Sequence, residues 1–349
     1  MSELSNPLPQ LNANGLRQAL RIAGGCTLGF ALSNLMNWPN GIFFTVYPML
    51  LLGLVPTLNK SVVRQFLTTT VFAAFIVLVI QGLFSHLHLV MVLIVFATFC
   101  IFFYQMSSGS AFLFGAQGAV SLSIQLHFAS YASGSGGIYP LIVSNAIAIV
   151  FTIVVAALMH GVFPDVSARP PRSVAKKDND SIRHEVLLCS VVATLSFVIF
   201  QVLDLRDSIS AQSASILILF SLCWKAAGGA SVQRIIGTLI GCSAAVIAQL
   251  FLYTHSDFLL FPVMVLWILS FIFSRYHILT GGTTGVGFGV LTTFGILFGQ
   301  SLAPGHDLIY SALYRFSSVT VAIILSLTAV YVVHHLLNRF SVTRHHTYH

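Results

Sequence analysis

The sequence predicts an all-α polytopic membrane protein, with about twelve transmembrane helices arranged as two parallel six-helix repeats. Three observations carry this expectation. Of 349 residues 56% are apolar and only 7% charged, with a mean hydropathy of +0.91, whereas a water-soluble domain carries roughly 25% charged residues. Apolar runs close to the ~20 residues needed to cross ~30 Å of hydrocarbon follow one another almost without interruption. A spacing of 170 residues recurs along the chain, pairing Arg64 with Arg234, Asn34 with Asp204, Phe103 with Phe273 and Asn145 with Arg315. It also sets Ala111, Gly115, Ala119 and Ser123 against Gly281, Gly285, Gly289 and Thr293. Such a spacing is what a duplicated half-protein leaves behind.

Taken in order, residues 1–15 are a polar N-terminal segment containing Pro7 and Pro9. No basic stretch leads directly into a short apolar core and cleavage site, so the first helix is expected to remain as an anchor. Residues 16–163 hold six spans, near Gln18 to Met36, Asn40 to Thr57, Val63 to Leu83, Leu87 to Tyr104, Gly109 to His127 and Tyr139 to Phe163. Residues 164–181 are polar and basic and read as a flexible linker. Residues 182–340 repeat the pattern near Glu185 to Leu203, Ser210 to Ala226, Arg234 to Tyr253, Phe258 to Ser274, Thr280 to Gln300 and Tyr314 to Leu337, followed by the tail 341–349. Pro48 falls inside the second span, where it kinks the helix and frees a carbonyl.

Orientation follows from the basic residues at alternate helix ends. With the N-terminus inside, fourteen of the sixteen Lys and Arg residues lie on the cytoplasmic side, leaving Arg206 and Arg315 outside. Both termini and the linker are therefore expected in the cytoplasm. An even number of helices per repeat inserts both copies the same way, related by a pseudo-twofold along the membrane normal.

The basic residues within the apolar helices are the candidates for function. Arg64 and Arg234 each stand at the mouth of an apolar helix in the predicted boundaries, with Lys60 and Lys225 nearby. Snorkelling to the headgroups accounts for such positions. A positive vestibule that gathers anions is the functional alternative. Arg315 stands on the outer side against the charge rule, and Asn145 is its polar counterpart. A helix starting near Leu308 would put Arg315 roughly 10 Å deep, where it needs a partner, a polar cavity or a bound anion. Gly115, Gly237, Gly241, Gly281, Gly285 and Gly289 are read as close helix packing.

Several classes are excluded. The net charge of +7 is spread over helix ends rather than gathered on a solvated face, so nucleic acid is not a partner. The five cysteines lie in apolar runs without ligand spacing and read as small buried hydrophobes. The histidines divide between opposite membrane faces, so no metal centre is expected. No nucleotide loop, nucleophile–base pair or cofactor motif is found, and the chain is not read as an enzyme.

Pro56-Thr57 followed by Arg64, and Gln233-Arg234-Ile-Ile-Gly237-Thr238-Leu-Ile-Gly241, resemble the repeat of the fusaric acid resistance and aromatic acid exporter family. Tyr314-Arg315 resembles the start of that family's last span. The first copy has Leu67 and Thr68 where Gly-Thr is expected, and the second lacks the proline. The resemblance implies an inner-membrane exporter of small organic or aromatic carboxylates in Gram-negative bacteria that works with a periplasmic adaptor. It also implies a relationship to plant anion channels in which two six-helix subunits enclose a basic pore. Many relatives carry a large cytoplasmic domain, where only the linker is expected here. A proton-coupled exporter of small organic anions or related toxic compounds is the leading expectation. A passive anion channel and a non-transporting scaffold for an adaptor are the alternatives, and a homo-oligomer is compatible with each. The lipid bilayer is a partner in all of them.

Overall fold

The structure is a computed structural model that describes residues 11–38, 40–131, 138–169, 177–203, 209–252, 258–282, 284–300, 308–340 and 343. Among them are twelve α-helices and no strand: α1 (Ala13–Leu35), α2 (Gly41–Leu54), α3 (Lys60–Leu83), α4 (His88–Ser107), α5 (Phe112–Tyr131), α6 (Tyr139–Val162), α7 (Asn179–Val202), α8 (Ile209–Ile218), α9 (Trp224–Leu252), α10 (Leu260–Leu279), α11 (Val286–Gln300) and α12 (Leu308–Leu337). The protein is an all-α polytopic membrane protein, and seven of these helices are long and apolar enough to cross a bilayer on their own. The other five depart from the expectation of twelve full apolar spans. Three of them, α2, α8 and α11, are shorter apolar helices, α1 carries Arg17 and Arg21, and α5 carries Gln117, Gln125 and His127.

The chain divides into two compact units. One comprises Met1–Leu58, Phe151–Pro170 and Ile236–Ile309, the other Asn59–Val150, Pro171–Ile235 and Tyr310–His349. In the first unit α1 packs on α2 and α10, and α11 packs on α2 and α10. In the second α7 packs on α8 and α4, and α5 packs on α8 and α4, with α3 added against α5. A shift of six helices converts the first set into the second. Each unit thus combines the first two helices of one repeat with the fourth and fifth of the other.

Each unit has two core helices that are buried on nearly every face. In the first unit, residues 43–53 of α2 and 287–295 of α11 are buried without a break; in the second, 115–123 of α5 and 210–218 of α8 are buried likewise. A helix shielded all round by protein does not have to match the hydrocarbon thickness, which is why the short helices are these. Pro48 sits in α2 and removes the donor that would reach the carbonyl of Phe44. Gly29 of α1 stands against that oxygen, where an added Cβ would lie 1.7 Å away, so the glycine admits a backbone approach that no other residue allows.

The burial patterns fix the register of the two repeats helix by helix. In α1, Gly15, Gln18, Ala19, Ile22, Ala23, Cys26, Thr27 and Phe30 are buried, and 170 residues on so are Glu185, Leu188, Cys189, Val192, Ala193, Ser196, Phe197 and Phe200 of α7. The same spacing aligns Ile142, Asn145, Ile149 and Thr152 with Ala312, Arg315, Val319 and Ala322. It fails between α3 and α9. There it would set the buried Phe66, Thr69, Thr70 and Ala73 on the exposed Ile236, Leu239, Ile240 and Ser243. A spacing of 168 sets them on the buried Arg234, Gly237, Thr238 and Gly241 instead. A two-residue slip turns a helix by about 200°, so Arg64 and Arg234 are not equivalents: Phe66 is the counterpart of Arg234. In α5 and α11 the slip is two residues the other way, and Gly115 corresponds to Gly287 rather than to Gly285.

Candidate functional site

The two core pairs are built alike and filled differently. The first unit fills its core with Phe43, Phe44, Tyr47, Met49, Phe288, Phe294 and Phe298, with Thr45, Thr292 and Thr293 as the buried polar residues of these helices. The second carries Gln117, Ser121, Ser123, Gln125 and His127 on α5, and Ser210, Gln212, Ser213 and Ser215 on α8, all buried. Around them α7 adds the buried Ser190, Thr194 and Ser196. Buried amides and hydroxyls at membrane depth are costly unless their hydrogen bonds are met, so a core made of them is a site candidate.

Side-chain contacts set the heights within this second unit. Phe112 and Phe220 meet with ring centroids 6.5 Å apart, and the Cys189 thiol reaches the carbonyl of Leu219 at 3.6 Å. The start of α5, the 3-10 turn Leu219–Ser221 that follows α8, and Cys189 of α7 therefore share a level. From it Gln212 stands about 12 Å along α8, level with Ser121 on α5 and Ser196 on α7. Toward one end, His184 of α7 bonds His334 of α12 at 2.9 Å, and Trp224 of α9 packs on Tyr331 at 5.1 Å. Arg234 lies about 15 Å beyond Trp224, and so about 20 Å from His184, again at the height of Ser196. Arg315 lies about 28 Å from His334 along α12, near the far end of α7.

The residues singled out in the sequence thus separate. Lys60 and Arg64 are exposed in the first turns of α3, at a helix mouth as expected. Arg234 is not at a mouth: α9 begins at Trp224, ten residues earlier, and Arg234 is buried, 6% exposed. The expected start was placed too late because Lys225 to Ser231 carry few large apolar residues. Lys225 lies in the first turn of α9. Arg315 is buried, 7% exposed, seven residues into α12, and Asn145 is buried in α6. Arg206, with Asp204, Asp207, Asp257 and Asp307, lies outside the described residues.

The glycines divide in the same way. Gly237 and Gly241 approach α11, where added Cβ atoms would stand 2.7 Å from the Val286 carbonyl and 2.9 Å from that of Val290; Gly289 faces Gly237 in this contact. Gly115 meets the Phe102 carbonyl at 2.2 Å from an added Cβ. Gly281 corrects the packing expectation, because it lies in the turn after α10 at φ +99 with nothing within 4 Å. Its glycine serves the backbone turn. Gly285 lies just before α11 rather than on it.

The acidic groups stand apart from this core. Among the described residues of the second unit they are Asp178, Asp180 and Glu185, all at the start of α7. Glu185 accepts both Lys177 at 2.7 Å and the Ser107 hydroxyl at 2.6 Å. In the first unit, Asp165 pairs with the buried Arg21 at 2.6 Å and with Arg169 at 3.1 Å. Burial raises the Asp165 carboxyl, but hydrogen bonds and charge from Arg169 and Arg21 outweigh it and hold it below the usual carboxylate range. The described residues contain no group of three metal-ligating side chains. The polar core of the second unit therefore offers cationic, amide and hydroxyl groups, a set suited to an anion.

Sequence inspection missed Gln117, Gln125, Gln212 and His127. The signal was present: a buried helix of this class should be apolar all round, and the three glutamines and the histidine of α5 and α8 break that rule.

Residues 18–159 match a family described as "Protein of unknown function (DUF2955)". No curated protein and no solved structure matches the chain.

Proposed function

We propose that the protein is a secondary transporter that exports small organic anions, aromatic or other carboxylates among them, across a bacterial inner membrane. The observation that carries this reading is that Arg234 and Arg315, both in the unit whose core is lined with amides and hydroxyls, are buried on membrane-length helices. A guanidinium presents a planar fork of donors matched to a carboxylate. The resemblance of Gln233 to Gly241 and of Tyr314-Arg315 to the fusaric acid resistance and aromatic acid exporter repeat supports the same reading, as does the bias of basic residues toward one side. With that bias the termini and the linker are cytoplasmic, and Arg315 stands on the periplasmic side of Arg234. A periplasmic adaptor is the protein partner this reading calls for.

The test is efflux from proteoliposomes and growth of a deletion strain across a panel of aromatic and aliphatic acids. Export by the wild type and its loss in well-inserted Arg234→Gln supports transport. Equal resistance in both strains and no flux of any acid removes the reading in favour of a scaffold. Dependence of flux on a proton gradient separates the exporter from a passive anion channel.

A further inference from the structure

The strongest unexplained group among the described residues is Gln212. Its side chain is 1% exposed, on a helix buried on all faces, yet neither its amide nitrogen nor its amide oxygen has a hydrogen-bond partner. A buried amide left unpaired at both ends is costly, so something outside the chain completes both. Within about one helical turn of that height stand the equally unpaired hydroxyls of Ser123 on α5 and of Thr194 and Ser196 on α7, together with the buried Arg234 on α9. Ser121 of that layer accepts from Gln125 at 2.8 Å, and so is already engaged.

The two ends of Gln212 ask for different things. The amide nitrogen offers donors to an acceptor, while the oxygen accepts and finds no donor hydrogen in a bare carboxylate. An anion made only of acceptors leaves that oxygen unpaired, whereas one with an O–H or N–H of its own satisfies both ends. We infer that Gln212, with the hydroxyls within a turn of it and Arg234, forms a mid-membrane binding site for a small anion that carries a hydrogen-bond donor. Arg234 supplies the charge, and Gln212 selects for the donor. Resting on the proposed anion transport, this assigns the site's place and its selectivity.

The test measures thermal unfolding of the purified full-length protein at pH 8 in matched-ionic-strength series of paired anions. Bicarbonate and nitrate share a planar shape and differ by an O–H; lactate and propionate differ by a hydroxyl. The expected result is that the donor-bearing member of each pair stabilises at about tenfold lower concentration. In Gln212→Met, which keeps the length and removes both unpaired ends, the difference disappears and the anion-free midpoint rises. Gln212→Glu places a negative charge beside the guanidinium and abolishes stabilisation by all four anions, which covers the case in which the methionine variant misfolds. Discrimination that survives in either variant overturns the site. So does a wild type that responds alike to both members of each pair, or to none, in which case ordered water alone fills the layer. Discrimination without flux keeps the site and removes transport. Flux without Gln212-dependent discrimination keeps transport and removes the site.

Discussion

At residue scale, position within a helix decides what a charge can do. Arg64 and Arg234 look alike in sequence, each leading an apolar stretch, but one is exposed in the first turn of α3 and the other buried ten residues into α9. Replacement of Arg64 by Gln is expected to alter insertion and little else, while Arg234→Gln abolishes anion export at normal expression. For Arg315, Lys keeps the charge and loses the fork, so Arg315→Lys lowers export and Arg315→Gln lowers it further; parallel efflux assays check the order. A wild-type rate in Arg315→Gln makes that residue a topological anchor only. Asp165 allows a prediction with pH. Its carboxyl is held below the ordinary value near 3.9, so its contribution is fully present above about pH 4 and is lost as pH falls through the lower folded value. Unfolding midpoints should therefore be insensitive to this group from pH 5 to 8. Asp165→Asn leaves the buried Arg21 without its counter-charge and costs about 3 kcal/mol across that range, a loss that shrinks in acid.

At the scale of elements, close approach and register explain most of what could and could not be read in advance. The order and approximate limits of twelve helices were legible because long apolar runs have one solution in a bilayer. The start of α9 was not, since Lys225 to Ser231 are polar or small and only packing makes them helical. Nor was the slip between α3 and α9, because both helices are apolar enough that either face could be the buried one. Gly29 and Gly161 make a matched pair for experiment. An added methyl at Gly29 meets the Phe44 carbonyl, whereas nothing lies within 4 Å at Gly161. Gly29→Ala is expected to destabilise the α1–α2 contact by about 1–3 kcal/mol, while Gly161→Ala is neutral or slightly stabilising through helix propensity. Equal unfolding midpoints for the two variants in detergent would show that α1 does not approach α2 through Gly29. The polar core of α5 and α8 was half legible: its glutamines stand in the sequence, but their burial on every face does not, and burial is what turns them from ordinary residues into a site.

At the scale of the whole molecule, duplication and compactness follow different boundaries. The repeats divide in the linker after α6, yet α1 and α2 bury their apolar faces on α10 and α11, and α7 and α8 bury theirs on α4 and α5. A first half made alone would leave one face of α1, including Ala19, Ile22, Ala23 and Cys26, without the partner helix α10. These residues are not replaced by lipid contacts at no cost, since Gly25 and Gly29 shape the same helix for close protein contact. Each half expressed separately is therefore expected to insert but to be degraded or to aggregate. Co-expressed as two chains cut within residues 171–176, the halves should recover one another, because the packing that crosses the cut, α1 on α10 and α7 on α4, depends on contact rather than on the peptide link. Co-purification of an untagged second half with a tagged first half, with an unfolding midpoint close to that of the uncut protein, is the expected outcome. Two halves that are each stable alone and do not associate would mean that every six-helix repeat closes its own core, and the exchange of helices between repeats would have to be abandoned.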